Sequence, residues 1–308
     1  MAQPIISYIS AVYNKADVLV ETLETLRNQT HIEASSVEFI FSDDCSSDTS
    51  REILQAEMQR DPRIKLIENE TNAGPAIRIN QAAKAASGAY LLPVDADDLL
   101  PANASTFLLN CAQTQKVSLV FGQSKRGSSC PEIDETAKVS VNDDALAYCA
   151  KKSIVHMGFL VKAPIWRNAS GANPDVFIQD QSLPLRLSAE ARKMAYVHDV
   201  VYWLRPAGAQ NLSRNIAQQH HDRFFSARPL LSHPNASEIA KKALMRQIVS
   251  TLWKLRRDGR AAMPHLSVPF VRYVLNRAIS LGLSDVDLAK AGNDLMKLPD
   301  IRRPGVNN

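Results

Sequence analysis

Three carboxylates crowd the end of an apolar run at Tyr90-Leu91-Leu92-Pro93-Val94-Asp95-Ala96-Asp97-Asp98. Carboxylates at the tip of a buried strand repel one another and lose hydration, so a bound cation is the natural compensation. Side chains alternate along an extended tip, which puts Asp95 and Asp97 on one side, able to face the same ion, with Ala96 pointing away. The same residues can also be read as a solvated acidic turn capping a helix that begins after Pro101. Two further polar clusters, Tyr13-Asn14-Lys15 and Asp43-Asp44, likewise end apolar runs.

The elements that must position these groups follow from hydrophobic period. Residues 5–12 are short, apolar and rich in β-branched side chains, which predicts a buried strand. From Asp17 on, Leu19, Leu23 and Leu26 recur at helical spacing with Glu21 and Glu24 outside, predicting an amphipathic helix. A second strand spans residues 37–41, and the capping-box spacing of Thr49 and Glu52 opens a helix through Leu54 and Met58. A third strand spans residues 64–67; then Asn72-Ala73-Gly74-Pro75 starts a helix through Ile79, Ala82, Ala83 and Ala86, with Gly88 as its stop. The strand ending at Asp95 is next. Strand and helix therefore alternate as in a parallel sheet covered on both faces, where ligands bind at the carboxyl ends of strands. All three polar clusters fall at that edge. Capping alone does not account for the coincidence, and a binding site is the favoured reading.

The second part is less regular. Helices are expected over residues 102–115 and 143–151, and strands over 118–122, 158–161 and 195–204. Asp175-Val176-Phe177-Ile178-Gln179-Asp180 leads into a helix carrying Leu183, Leu185, Leu187 and Ala191, with Pro184 tolerated in its first turn. Beyond Ser213 the pattern is helical to about Leu298, broken near Pro229 to Pro234, Pro264 to Pro269 and Gly282.

A chain of 308 residues allows one or two domains, and its 45% apolar and 22% charged content is that of an ordinary soluble protein. The four cysteines, Cys45, Cys111, Cys130 and Cys149, lie far apart without a Cys-x-x-Cys, which argues against a zinc knuckle or disulfide framework and fits reduced thiols in a cytoplasm. Neither a signal peptide nor a window long enough to span a bilayer is expected. The net charge of +4 hides an asymmetry: residues 1–213 sum to about −5 and the remainder to about +9.

In order and spacing these motifs resemble the nucleotide-sugar-dependent glycosyltransferases of family 2, of GT-A fold. Ile6-Ser7-Tyr8-Ile9-Ser10-Ala11-Val12-Tyr13-Asn14 looks like the family's opening strand and its Pro-Val-Tyr-Asn turn, with Ala11 for Pro. Ser42-Asp43-Asp44-Cys45-Ser46-Ser47-Asp48 resembles its Asp-Asp-Gly-Ser-x-Asp segment, with Cys45 for Gly. Asn72-Ala73-Gly74-Pro75 with Asn80 resembles its Asn-x-Gly helix start, and Asp95-Ala96-Asp97 its Asp-x-Asp metal motif. Ile178-Gln179-Asp180 resembles the segment bearing its catalytic base. The resemblance covers about residues 5–210.

What it implies is a mixed, mostly parallel GT-A sheet flanked by helices, as a catalytic domain over 1–213 with a nucleotide-binding half (about 1–100) and an acceptor half (about 101–213). A basic helical region follows over 214–308. It further implies that Ala11, Val12, Tyr13 and Asn14 meet the nucleotide, Tyr13 lying on or beside the base, and that Asp44 accepts from the base's ring N–H, which suits uracil. Asn72, Gly74, Asn80 and Ala96 join the nucleotide-sugar site. Asp95 contacts the ribose or a metal-bound water, and Asp97 coordinates the Mn²⁺ or Mg²⁺ that bridges the diphosphate of a nucleotide-diphosphate sugar. Asp180 is the general base of an inverting transfer to a saccharide or lipid-linked acceptor, such as occurs in polysaccharide or glycolipid synthesis. Alternative readings stay open for several residues: Tyr13 as strand-end packing, Asp180 as a helix N-cap, His156 as a core histidine instead of a sugar contact. Arg78 is expected on the helix surface, and Asp43 is expected to be structural. A non-catalytic nucleotide-sugar-binding protein of the same fold is the rival function; a receiver-type phosphoacceptor is set aside for want of a late strand-end lysine before Asp180.

Residues 239–257 carry an apolar stripe of Leu244, Ile248, Leu252 and Leu255 with basic residues mostly elsewhere. Packing on the catalytic domain, a contact between copies, and docking on an anionic leaflet at the inner face of the membrane all fit such a helix; packing is preferred. Nucleic acid is not expected, because aromatic and basic residues are not interleaved.

Overall fold

The computed structural model describes residues 5–206, 215–258, 267–279, 281–299 and 301–304. Four strands, β1 (Ile6–Val12), β2 (Val37–Asp43), β3 (Ile64–Ile67) and β4 (Tyr90–Pro93), pair in parallel in the order β3-β2-β1-β4. Helices α1 (Ala16–Arg27), α2 (Ser50–Arg60) and α3 (Pro75–Ala85) make the crossovers. β2 is buried along its whole length, as befits a strand covered on both faces. The sheet continues past β4 through β7 (Phe159–Lys162), β5 (Leu119–Arg126), β8 (Met194–Leu204) and β6 (Val139–Asn142), giving eight strands. β7 runs against β4 and β5, and β6 against β8, so the sheet is mixed. Helices α4 (Ala104–Thr114), α5 (Ala145–Lys152), α6 (Ala163–Asn168) and α7 (Gln179–Ala191) belong to this second half. α8 (Ile216–Ala227), α9 (Glu238–Asp258), α10 (Val268–Ile279) and α11 (Asp285–Met296) complete the chain.

Two short elements, β6 and α6, carry no sequence expectation: one is a half-exposed edge strand, the other six residues with Pro164 near its start. Two punctuation signals act differently from their expected roles. Thr49 precedes α2 but makes no side-chain cap. Asp48 does that work, accepting from Ser50 N–H through Oδ1 (2.9 Å) and from Ala16 N–H through Oδ2 (3.0 Å), so one carboxylate serves two helix starts. Gly88 does not stop α3, which ends at Ala85. It lets the chain pass against β1, where its N–H donates to Ser7 Oγ and an added β-carbon would lie 2.5 Å from that oxygen.

The apolar stripe of α9 is spent on protein: Leu244 and Ile248 are buried, Leu252 and Leu255 pack on the core, and the helix lies against α5, α8 and α10. Docking of that stripe in a leaflet is thereby corrected in favour of packing. No helix among the described residues is long and apolar enough to cross a membrane. The boundary expected at residue 213 lies outside the described residues.

Asn80 in α3 clasps the segment before α7, donating to Ala172 O (2.9 Å) and accepting from Ala172 N–H (2.8 Å). Gly171, at φ +62°, makes room for it; a β-carbon there would sit 2.0 Å from Asn80 Oδ1. Gly171→Ala should therefore cost about 2–3 kcal/mol through backbone strain and loss of the clasp. Thermal melting checks this, and an unchanged Tm would remove the clasp from the account of how α3 holds α7.

Candidate active site

The carboxyl ends of β1, β2 and β4 meet as expected, but many of the polar groups there serve one another. Tyr13 follows β1 and is 45% exposed, a ring available for stacking. Asn14 takes a left-handed conformation, φ +53°, and its Oδ1 accepts from Ser47 N–H (2.8 Å) while its own N–H donates to Ser46 Oγ (3.1 Å). Its side chain, expected at the nucleotide, braces the turn after β1 against the second loop. Val12 is buried and its carbonyl accepts from Asp44 N–H, and Ala96 is buried as well, so neither side chain faces a ligand. Ala11, half-buried beside them, remains at the edge.

Asp43 and Asp44 are both buried and both engaged by the protein itself. Asp43, fully buried, binds Arg51 (2.9 Å) and Ser46 N–H (3.1 Å). Asp44, 3% exposed, accepts from Ala73 N–H (2.7 Å), Gly74 N–H (2.9 Å) and Arg78 Nε (2.6 Å). Arg78 is accordingly not a surface residue: it is buried in α3, and its guanidinium also reaches Asn69 and Thr71 O. Asn72 donates to Asp44 O (3.2 Å), and Gly74, φ +91°, passes so close to Phe177 that a β-carbon would lie 2.8 Å from its ring. Cys45 stands at φ +60°, a conformation that favours the glycine of the family pattern. Both amide ends of Asn80, expected in the sugar site, are bonded to Ala172.

At the end of β4 the acidic-turn reading fails, because α4 is capped at Asn103 and not by Asp95, Asp97 or Asp98. Asp98 is turned inward, accepting from Arg205 N–H (3.0 Å) and bonded to the Tyr202 hydroxyl; burial and then Asp97 push it up to about 7. Tyr202 Oη also accepts from Asp95 N–H (2.9 Å). Burial, followed by the charges of Asp98, Asp97 and Asp180, raises Asp95 well above the ordinary carboxylate range. Asp97 is the outward member, and Lys15 Nζ lies 2.5 Å from its Oδ2. An ammonium already answers this oxygen, and no group of three or more His, Cys, Asp or Glu side chains among the described residues is placed to hold a metal ion; the oxygens of Asp97 and Asp95 are of the type that suits a hard divalent cation such as Mn²⁺ or Mg²⁺. One or two carboxylates suffice for such an ion when substrate phosphates supply further oxygens.

Asp180 lies in the first turn of α7, not at its N-cap, which is Ile178. Its Oδ1 is buried without a hydrogen-bond partner. Burial, then Asp222, push its pKa up to about 7, while Arg223 pulls down. A carboxyl poised near neutrality with an unanswered oxygen is suited to take a proton. Gln179, quoted in the sequence without a role, donates from Nε2 to Asp95 Oδ1 (2.6 Å) and so ties α7 to the acidic strand end. Its only sequence signal is adjacency to Asp180. A layer with no sequence signal lies beneath: buried Asp222 accepts from Ile178 N–H (2.8 Å) and Gln218 Nε2 (2.9 Å), and pairs with His221 (2.8 Å). His156, half-buried beside the start of β7, accepts from Gly158 N–H (3.1 Å), and burial lowers it to about 4, in keeping with a neutral histidine that closes its own turn.

The putative teichuronic acid biosynthesis glycosyltransferase TuaG of Bacillus subtilis (strain 168) is 36% identical over 96 residues, 31% of this chain and 37% of TuaG. The chain thus spans little over a third of that relative. Residues 1–349 of S. aureus TarS, solved in complex with UDP-GlcNAc, superpose with a TM-score of 0.70 at 17% identity, over 94% of this chain and 89% of that one. The mannosyltransferase PcManGT from Pyrobaculum calidifontis, in complex with GDP-Man and Mn²⁺, gives 0.58 at 16% identity, over 96% and 85%. Such likeness speaks to the fold, which is GT-A. Residues 7–165, about half of the 308, match Glycosyl transferase family 2, and by that match, on a sheet whose acidic edge has this geometry, the chain belongs to that family.

Proposed function

We propose that the protein is an inverting glycosyltransferase that moves a sugar from a nucleotide diphosphate, with uridine as the nucleoside, to an acceptor hydroxyl. The observation that carries this reading is the Gln179–Asp95 hydrogen bond of 2.6 Å, which sets the acidic strand end and the base Asp180 at one site. Tyr13 offers a stacking face for the base, and Asp44, oriented by Arg78 and the 73–74 amides, offers the acceptor for a ring N–H. Asp97, with Asp95 behind it, would hold a divalent cation, which when bound neutralises charge on the departing diphosphate. Asp180 takes the proton of the acceptor hydroxyl as its oxygen bonds to the anomeric carbon and the bond from that carbon to the diphosphate breaks. UDP-GlcNAc on TarS supports a uridine donor, and the teichuronic acid named for TuaG supports an acceptor in cell-surface polysaccharide synthesis.

Asp97→Ala should abolish transfer and the Mn²⁺-dependent part of UDP binding; a thermal-shift titration of UDP with and without Mn²⁺ reads the second, and an undiminished variant ends the assignment. For Asp180→Asn, UDP affinity should persist while kcat falls at least about 10²-fold, as for loss of a general base. In the wild type, kcat/KM should fall as pH drops through about 7, where Asp180 acquires the proton that blocks it. The same variant tests the energetics. A buried carboxyl raised from 3.8 to about 7 destabilises the fold progressively as pH climbs between those values. Asp180→Asn should therefore melt higher than wild type at pH 8, by up to a few kcal/mol, with the gain fading toward pH 4. A melting difference independent of pH would mean that the carboxyl is not held up in the native state. Arg78→Met leaves the Asp44 carboxylate buried and under-compensated and should cost about 3–5 kcal/mol along with UDP affinity; chemical denaturation measures it, and a cost under about 1 kcal/mol would make the pair a dispensable surface contact.

A further inference from the structure

Away from the sheet edge, α5, α8, α9 and α10 enclose a groove of about 500 Å³. Six of its lining side chains are basic: Lys151 from α5, Arg223 from α8, Lys242, Arg246 and Lys254 from α9, and Arg277 from α10. Among the described residues that line it there is no aspartate or glutamate. Three of the cations come from α9 itself; α8 and α10, its neighbours in the chain, and the more distant α5 bring one each, so the packing of four helices gathers the charge. Gathered around one concavity, such side chains make a positive field that favours an anion within it. Arg223 links this groove to the active site. Burial depresses its guanidinium, the charge of Asp180 acts against that, and its Nε lies 3.5 Å from Gln181 Oε1, the neighbour of Asp180 on α7.

We propose that this groove binds a linear polyanionic acceptor, a glycan chain carrying phosphate groups, and leads its terminal hydroxyl toward Asp180. The proposal rests on the transfer reading and names the acceptor class for it. Several successive charges suit a row of cations better than one isolated carboxylate does, and lysines accept phosphates as point charges without demanding a planar partner. A membrane surface fits less well. The groove is concave, and the apolar stripe of α9 that would have to enter a leaflet is already buried against protein.

The test uses the full chain saturated with UDP and sodium tripolyphosphate as the soluble polyanion, followed by calorimetric titration. Wild type should bind it, with affinity falling as salt rises from about 50 to about 200 mM. Lys151→Glu combined with Lys242→Glu, both exposed and on different helices, should weaken that binding at least about tenfold with UDP affinity and Tm unchanged. Lys151→Gln with Lys242→Gln removes charge without reversing it and carries the test if the glutamates disturb folding. Equal affinity in the variants, or no binding by wild type that still binds UDP, overturns the groove and leaves the transfer reading standing; failure of wild type to bind UDP strikes the transfer reading itself. Vesicles containing phosphatidylglycerol form the second arm. Charge-dependent binding to them without binding to tripolyphosphate would make the groove a membrane face and end the acceptor proposal.

Discussion

Crowding of carboxylates at the carboxyl edge of the sheet is the constraint on which the rest of the site depends. Burial is the largest cause of the upward shift at each: it raises Asp95 together with Asp98, Asp97 and Asp180, raises Asp98 together with Asp97, and raises Asp180 together with Asp222 and Asp98. The surrounding elements answer them one at a time. Lys15 from the end of β1 meets Asp97, Gln179 from α7 meets Asp95, and Tyr202 with the Arg205 N–H from the end of β8 meets Asp98. Of these four carboxylates Asp180 is the one that keeps a buried oxygen without a partner, a condition it shares with Asp43 Oδ1 and with Gln179 Oε1 beside it. Buried oxygens without partners thus fall at Gln179 and Asp180, while Asp95, Asp97 and Asp98 are each answered.

Much of the polar conspicuousness of the loops turns out to be scaffolding. Asn14, Asp43, Asp48 and Asn80 spend their hydrogen bonds on backbone amides or a neighbouring guanidinium, because buried N–H groups in tight loops must be answered from somewhere. The loops so braced present few groups outward: Tyr13 and Asp97, with the half-exposed Lys15 between them. The C-terminal helices extend the bracing. Asp222 of α8 accepts from Ile178 N–H at the start of α7 and at the same time raises Asp180 through its charge, so the basic region participates in setting the base as well as covering it.

Arg78 and Gln179 show where reading residues in order falls short. Arg78 sits at a helix position that looks like solvent, yet the turn at Gly74 brings α3 back over β2 and closes the guanidinium onto Asp44, thirty-four positions away. Gln179 has no local signal beyond the residue after it, and its partner Asp95 is eighty-four positions upstream. Neither pairing has a period or spacing that a linear pattern can carry. Gly88 and Thr49 mislead for the related reason that a stop or cap residue has more than one use, and the packing environment chooses between them.

The sequence by itself determined what depends on local period and chemistry: four strand and helix alternations, polar groups at the strand ends, three carboxylates at one tip, and the helical character of the tail. These are legible because apolar period and turn residues act over a few positions. Only the tertiary structure decided which of the carboxylates faces outward, which carboxylates keep an unanswered oxygen, that Asn80 and Arg78 are fasteners, and that six basic residues from four helices share one concavity. Those outcomes depend on desolvation and on partners far apart in the chain, quantities that exist only once the sheet has closed and the helices have packed.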